Sequence, residues 1–172
     1  MPRYTITKTW DGLPIDAREM VRIDLTYSET GIALHIDAPF HQDDAPTADI
    51  GSLWELWNYE VVEAFFVGSS GHYTELEFGP HGHYLVLRLD APRSVIDKEH
   101  IIDFTASIEG SRWQGSAVIP SNLLPSNIMR LNFFSIHGKG DDRRYLCYSP
   151  LPHTHPDFHQ PERFPLFTEA SS

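Results

Sequence analysis

Polar and apolar residues alternate with a period of two along most of this chain. That is the repeat of a strand with one face in a core and the other in water, and no other feature limits the fold as strongly. In "VRIDLTYS" Val21, Ile23, Leu25 and Tyr27 share one face, with Arg22, Asp24 and Thr26 on the other. "GIALHIDAPF" sets Ile32, Leu34 and Ile36 against Ala33, His35 and Asp37, and "RWQGSAVIP" aligns Trp113, Ala117 and Ile119. "IMRLNFFSIHG" and "RRYLCYS" follow, separated by "GKGDD". Helical signal is confined to "SNLLPS" and "DIGSLWELW". The expected fold is therefore an all-β, antiparallel β-sandwich with one or two short helices.

At 172 residues the chain is expected to form a single domain, residues 1–172, with a Pro-rich extended segment over 149–167 laid across a sheet and anchored by Phe164, Leu166 and Phe167. Lys plus Arg number 13 against 24 Asp plus Glu, a net charge of −11. That balance lacks the basic footprint of nucleic-acid or anionic-membrane binding. The N-terminus "MPRYTITKTW" has no secretion-signal pattern and no apolar run reaches about 18 residues, so a soluble cytoplasmic protein is expected. Cys147 is the single cysteine, which excludes an internal disulfide; it reads as a buried structural thiol.

Between Leu56 and Tyr84 the strands carry Glu60, Glu63, Glu75 and Glu77, a residue type that strands avoid. A hairpin turn centred on Pro80-His81 would place Glu77 opposite Tyr84, Glu75 opposite Val86 and Tyr73 opposite Arg88. In that register Glu75 and Arg88 sit diagonally within pairing distance, and Glu75 and Glu77 share an outward face. In "YEVVEAFFV" Glu60 and Glu63 point to opposite faces of a strand that is apolar on both, so this strand is expected to be central and covered. A carboxylate there needs a partner. That partner is either an arginine such as Arg130 or Arg144, or a ligand in a pocket. Glu75 and Glu77, at two-residue spacing, stand roughly 6–7 Å apart from strand rise alone, a distance a glycosidase pair also uses.

Ten histidines raise the question of metal. His81 with His83, and His153, His155 and His159, are the clusters, read either as solvated loop residues or as ligands. His137 ends an apolar strand, where polar groups commonly meet ligands. No GxSxG, P-loop or GxGxxG pattern occurs, which removes support from the commonest hydrolase, phosphoryl-transfer and dinucleotide functions.

Three stretches carry a resemblance to the carbohydrate-binding module family 9-like (CBM9-like) domains of the broader DOMON-like β-sandwich group. These are "NYEVVEAFFVGSSGHYTELEFGPHGHY", "LNFFSIHG…YLCYSPLP" and the closing "PDFHQPERFPLF", within Gly31 to Phe167. The chain also resembles small stand-alone proteins that share "EVVE", "GPHG" and "PDFH". The CBM9 resemblance implies a jelly-roll-like sandwich that clamps a terminal sugar between tryptophans, often with a structural calcium and no other cofactor. Carried over by position, Trp54 or Trp57 is the stacking platform, with Glu60, Glu77, His137 and Tyr145 nearby; Glu63, Glu75 and His159 complete the candidate ligand-binding set. The sequence departs from the family at Cys147 or Tyr148, where a tryptophan is expected, and at Pro165, where a glycine is expected. The leading expectation is a non-catalytic ligand-binding protein for a small-molecule or oligosaccharide ligand. The alternatives are an enzyme on a small sugar-like metabolite using Glu75 or Glu77 with His137, and a protein-interaction module.

Overall fold

The structure, a computed structural model, describes residues 1–167. It contains twelve strands: β1 Arg3–Ile6, β2 Lys8–Thr9, β3 Val21–Ser28, β4 Gly31–Pro39, β5 Val61–Gly68, β6 Tyr73–Phe78, β7 Tyr84–Ala91, β8 Ser94–Asp97, β9 Asp103–Glu109, β10 Arg112–Pro120, β11 Ile128–His137 and β12 Arg144–Cys147. They form two antiparallel sheets, a five-stranded one in the order β1-β3-β4-β10-β9 and a seven-stranded one in the order β2-β12-β11-β5-β6-β7-β8. The all-β sandwich expected from the alternation is what the chain forms. The expected short helices are realised as three-residue 3-10 turns, among them Leu56–Asn58 and Ser121–Leu123. Among the described residues no helix is long and apolar enough to cross a membrane.

The sheets pack through one core. Ile23, Leu25, Ile36, Trp113 and Ile119 from the smaller sheet meet Phe66, Phe78, Val86 and Phe133 from the larger. The outer face of the smaller sheet is wet, and charges pair across it: Arg3 with Asp24 at 2.8 Å, and Arg112 with Asp37 at 2.7 Å. The outer face of the larger sheet is dry. Phe65, Leu87 and Phe134 lie there under Leu56, Phe158 and Phe164, which come from the loop before β5 and from the tail. Strand β5 is consequently buried at every position, as its two apolar faces lead one to expect.

Within the tail, Phe158 stacks on Phe134 at 3.9 Å and Phe164 is 1% exposed. Arg130 donates to the Phe164 carbonyl, and the Phe167 amide donates to the Met129 carbonyl. The anchor is thus Phe158 and Phe164 together with Phe167, which packs on Tyr27 at 5.0 Å, whereas Leu166, expected to share that role, is 62% exposed.

The β6–β7 hairpin differs by one residue from the expected register: Glu77 faces Leu85, Glu75 faces Leu87 and Thr74 faces Arg88. Both strands are buried on both faces, so alternation does not penalise the slip and the turn decides. Gly82, at φ +90°, adds a residue to the loop, and Gly79 closes it by donating to the His83 carbonyl. The slip moves Arg88 to the opposite face, where it pairs with Asp97 at 3.7 Å, and surrounds the glutamates with leucines. Glu75 and Arg88 therefore do not pair.

Truncating the buried clamp, Phe164→Ala, is expected to lower unfolding free energy by about 3–5 kcal/mol. Leu166→Ala should stay within about 0.5 kcal/mol. Urea titrations of the two variants check this, and equal losses would contradict the anchor described above.

Candidate functional site

Strands β5 and β6 are joined by Ser69-Ser70-Gly71, with Gly71 at φ +86° and the Gly68 amide donating to the His72 carbonyl. That turn sets Glu63 directly opposite Glu77 and Phe65 opposite Glu75. With Glu75 and Glu77 two residues apart on one strand, all three side chains fall on the covered outer face. One carboxylate oxygen from each lies within 4.8 Å of the others, closer than strand rise alone gives. The residues are 2%, 4% and 0% exposed, so the outward face expected for Glu75 and Glu77 is correct in direction, and that face is covered.

Burial raises all three acids above the usual carboxylate range, and their mutual repulsion adds to the effect on Glu63 and Glu77. Glu75 is pushed up to about 8, because its loss of water outweighs help from Glu77 and Arg93. Arg130 and Arg144, the cations suggested by sequence, are engaged elsewhere. Arg130 holds the tail, and Arg144 makes two 2.9 Å bonds to Glu19.

Above Glu63 and Glu75 opens a cleft of about 430 Å³. Trp54 and Trp57 form one wall, meeting edge to face at 5.0 Å, and Lys98 lies 4.0 Å over the Trp54 ring. Glu55, between them, adopts φ +63°, a strained turn for a residue with a Cβ. The Trp57 and Asn58 carbonyls accept hydrogen bonds from Arg143, which ties this loop to β12. Tyr145 and Phe158, edge to face at 6.1 Å, also line the cleft, as do Leu87, Leu89 and Val95. The tail contributes His159, whose Nδ1 is 2.7 Å from the Tyr73 hydroxyl and whose Nε2 is 3.8 Å from Glu75 Oε2. Burial lowers His159 to about 4, so the ring is neutral at neutral pH.

Of the nine candidate residues, Trp54, Trp57, Glu63, Glu75, Tyr145 and His159 line this cleft and Glu77 lies beneath it. Glu60 and His137 lie elsewhere. Glu60 accepts from the His41 amide at 3.0 Å, and burial raises it to about 7. His137 stacks on His41 at 3.4 Å and reaches Glu19 at 3.3 Å. An acid–base pair of Glu75 or Glu77 with His137 is therefore not assembled; the imidazole beside Glu75 is His159. Sequence reasoning missed Arg93, Asp157 and Phe158. Arg93 donates to Asp157 at 2.8 Å and Asp157 accepts from the His159 amide at 3.0 Å, which fixes the tail over the cleft. The "PDFH" motif was the available signal. Cys147 is fully buried with its thiol pushed up to about 12, as suits a structural thiol.

Fold and site together define a β-sandwich protein with an aromatic-walled, acid-floored cleft on the covered face of its larger sheet. Compared with known proteins, the chain is 40% identical to the UPF0462 protein C4orf33 homologs of Rattus norvegicus and Mus musculus, over 96% of its length and 87% and 90% of theirs. It is 39% identical to the Homo sapiens protein C4orf33 over 95% of its length and 86% of that protein's. The chain belongs to the UPF0462 family. No protein-family model matches it. Among solved structures it superposes, with a TM-score of 0.75 and 16% identity, on a Bacteroides uniformis protein described as a "putative carbohydrate-binding protein". That match covers 95% of this chain and 84% of the other. At that identity the likeness establishes the fold.

Folding favours the protonated forms of Glu60 and Glu75. Their contribution to stability is complete below the ordinary value of 4.5 and is lost as pH rises through about 7 and about 8 respectively. Stability in chelator-treated buffer is therefore expected to fall between pH 5 and pH 8.5. Glu60→Gln should flatten part of that slope, gaining on the order of 1–2 kcal/mol relative to the parent across the interval. Urea midpoints at four or five pH values measure this, and parallel curves would show that Glu60 titrates near its ordinary value.

Proposed function

We propose that this protein binds a carbohydrate, the end of a chain or a small free sugar, in the cleft between Trp57 and Tyr145, without transforming it. The observation that carries this reading is the combination in one cleft of flat aromatic walls and a floor of carboxylates. A sugar ring offers apolar C–H faces to the former and hydroxyl donors to the latter. The volume falls within the range of small-ligand sites, roughly 300–1,000 Å³. Two further supports are the CBM9-like resemblance and the fold shared with a protein described as a "putative carbohydrate-binding protein". The enzymatic alternative loses the base expected for it from sequence, because His137 lies outside the cleft and is engaged with Glu19.

Thermal unfolding of the full chain against a panel of mono- and oligosaccharides and sugar phosphates tests the proposal. A sugar present at 100 times its dissociation constant should add about 2.7 kcal/mol, a shift of roughly 2–4 °C. Trp57→Ala should remove the shift while leaving the unliganded protein folded. If no sugar produces a shift, or if Trp57→Ala responds as the parent does, the carbohydrate reading of this cleft fails.

A further inference from the structure

The floor of the cleft presents a problem that aromatic walls and a sugar do not solve. Glu63 and Glu77 are a directly opposed cross-strand pair, and like charges in that relation destabilise a sheet even at a wet surface. Here they are buried, with Glu75 beside them, among Phe65, Phe134, Leu85 and Leu87. Among the described residues no lysine or arginine comes within 4 Å of any of the three. The nearest candidates are committed: Arg143 to the carbonyls of Trp57, Asn58 and Gly138, and Arg93 to Asp157.

The second observation concerns individual atoms. Glu75 Oε2 and both oxygens of Glu77 are wholly shielded from solvent and have no hydrogen-bond partner of good geometry, their nearest polar neighbours being each other and the Trp57 backbone. An unpartnered carboxylate in a dry sheet is among the costliest arrangements a protein can hold, so these oxygens must share either protons or a cation. The geometry suits an ion. Three oxygens no more than 4.8 Å apart surround a point at most about 2.8 Å from each (4.8/√3), and a small contraction brings that to metal–oxygen bonding distance. His159 resembles a positioned ligand or its outer partner: Nδ1 is held by the Tyr73 hydroxyl while Nε2 looks toward Glu75. Glu63 and Glu75 also line the cleft, which supplies an entry path and open coordination positions.

We propose that Glu63, Glu75 and Glu77 form a binding site for one hard divalent cation, Ca²⁺ or Mn²⁺, at the floor of the cleft. Carboxylate oxygens with no thiolate select this class. Mg²⁺ fits less well, because it demands near-ideal octahedral geometry at shorter metal–oxygen distances than these three oxygens span. The site does not depend on the carbohydrate reading, since the oxygens need an occupant whether or not a sugar enters.

The test uses the full chain after chelator treatment. Calorimetric titration with Ca²⁺ and Mn²⁺ separately, with free Mn²⁺ followed by its paramagnetic resonance signal, should show one ion bound per chain. Thermal unfolding should rise by roughly 2–4 °C at an ion concentration 100 times the dissociation constant. Glu77→Gln keeps the side-chain volume and gives Glu75 a donor, so in chelator it should unfold no lower than the parent. It should nevertheless lose the ion and its thermal shift. Glu162→Gln, at an exposed position, should retain both. Failure of the folded parent to bind either ion at millimolar concentration would overturn the proposal and leave the three acids sharing protons. Ion binding that survives in Glu77→Gln would also overturn it, placing the ion elsewhere, as on the exposed His153 and His155.

Discussion

Two like-charged side chains facing each other across a pair of hydrogen-bonded strands, out of reach of water, is the constraint around which this molecule is arranged. Glu63 and Glu77 are locked in that relation by the short turn between β5 and β6, and neither can rotate into solvent because the strands on either side supply Phe134 and Leu85. The tail and the tryptophan loop make the arrangement dry. Without Phe158 and Phe164 overhead, the same three glutamates would be an unremarkable wet face like that of the smaller sheet, where Asp37 is satisfied by two arginines.

The covering layer and the cleft are consequently one feature. The tail crosses the sheet as a single extended layer, and such a layer cannot cover seven strands completely. The gap it leaves lies between its own Asp157–His159 stretch and the loop bearing Trp54 and Trp57. Arg143 ties the tryptophan side by its carbonyls, and the Arg93–Asp157 pair ties the tail side. Each edge is thus held by an arginine as well as by packing.

The alternation in β3, β4 and β10 shows how far sequence can be read here. In the five-stranded sheet one face is wet, the period-two pattern is clean, and the strands and their buried residues follow from it directly. In the seven-stranded sheet both faces are dry, so the pattern that fixes register is erased, and the β6–β7 pairing inferred from it is one residue off. The same loss hid the central fact about the acids. Glu63 was assigned its own strand face correctly, but nothing in a local pattern says that this face also carries Glu75 and Glu77. Counting from the centre of the Ser69-Ser70-Gly71 turn would have paired residue 63 with 77. The placement of Phe158 and His159 over the acids depends on contacts across more than eighty residues of chain, which no periodicity encodes.

What fills the floor also determines what the walls can hold. With protons shared among the acids, the floor offers one or two hydroxyl-like donors and several acceptors, enough to grade sugars by the orientation of a single hydroxyl. With a divalent cation, the same oxygens are turned inward, and the surface presented to the cleft offers the ion's open coordination positions. Such a surface favours a pair of adjacent hydroxyls or a carboxylate, each of which can supply two oxygens to one ion. His159 sits at the border of the two arrangements, neutral and within 4 Å of Glu75, able to donate to a carboxylate in the first and to accept a metal or a hydroxyl in the second. The aromatic walls are indifferent to this choice, because stacking reads only the C–H face of a ring. On the proposed reading, selectivity in this cleft resides in three glutamates and one histidine, and the tryptophans contribute affinity without discrimination.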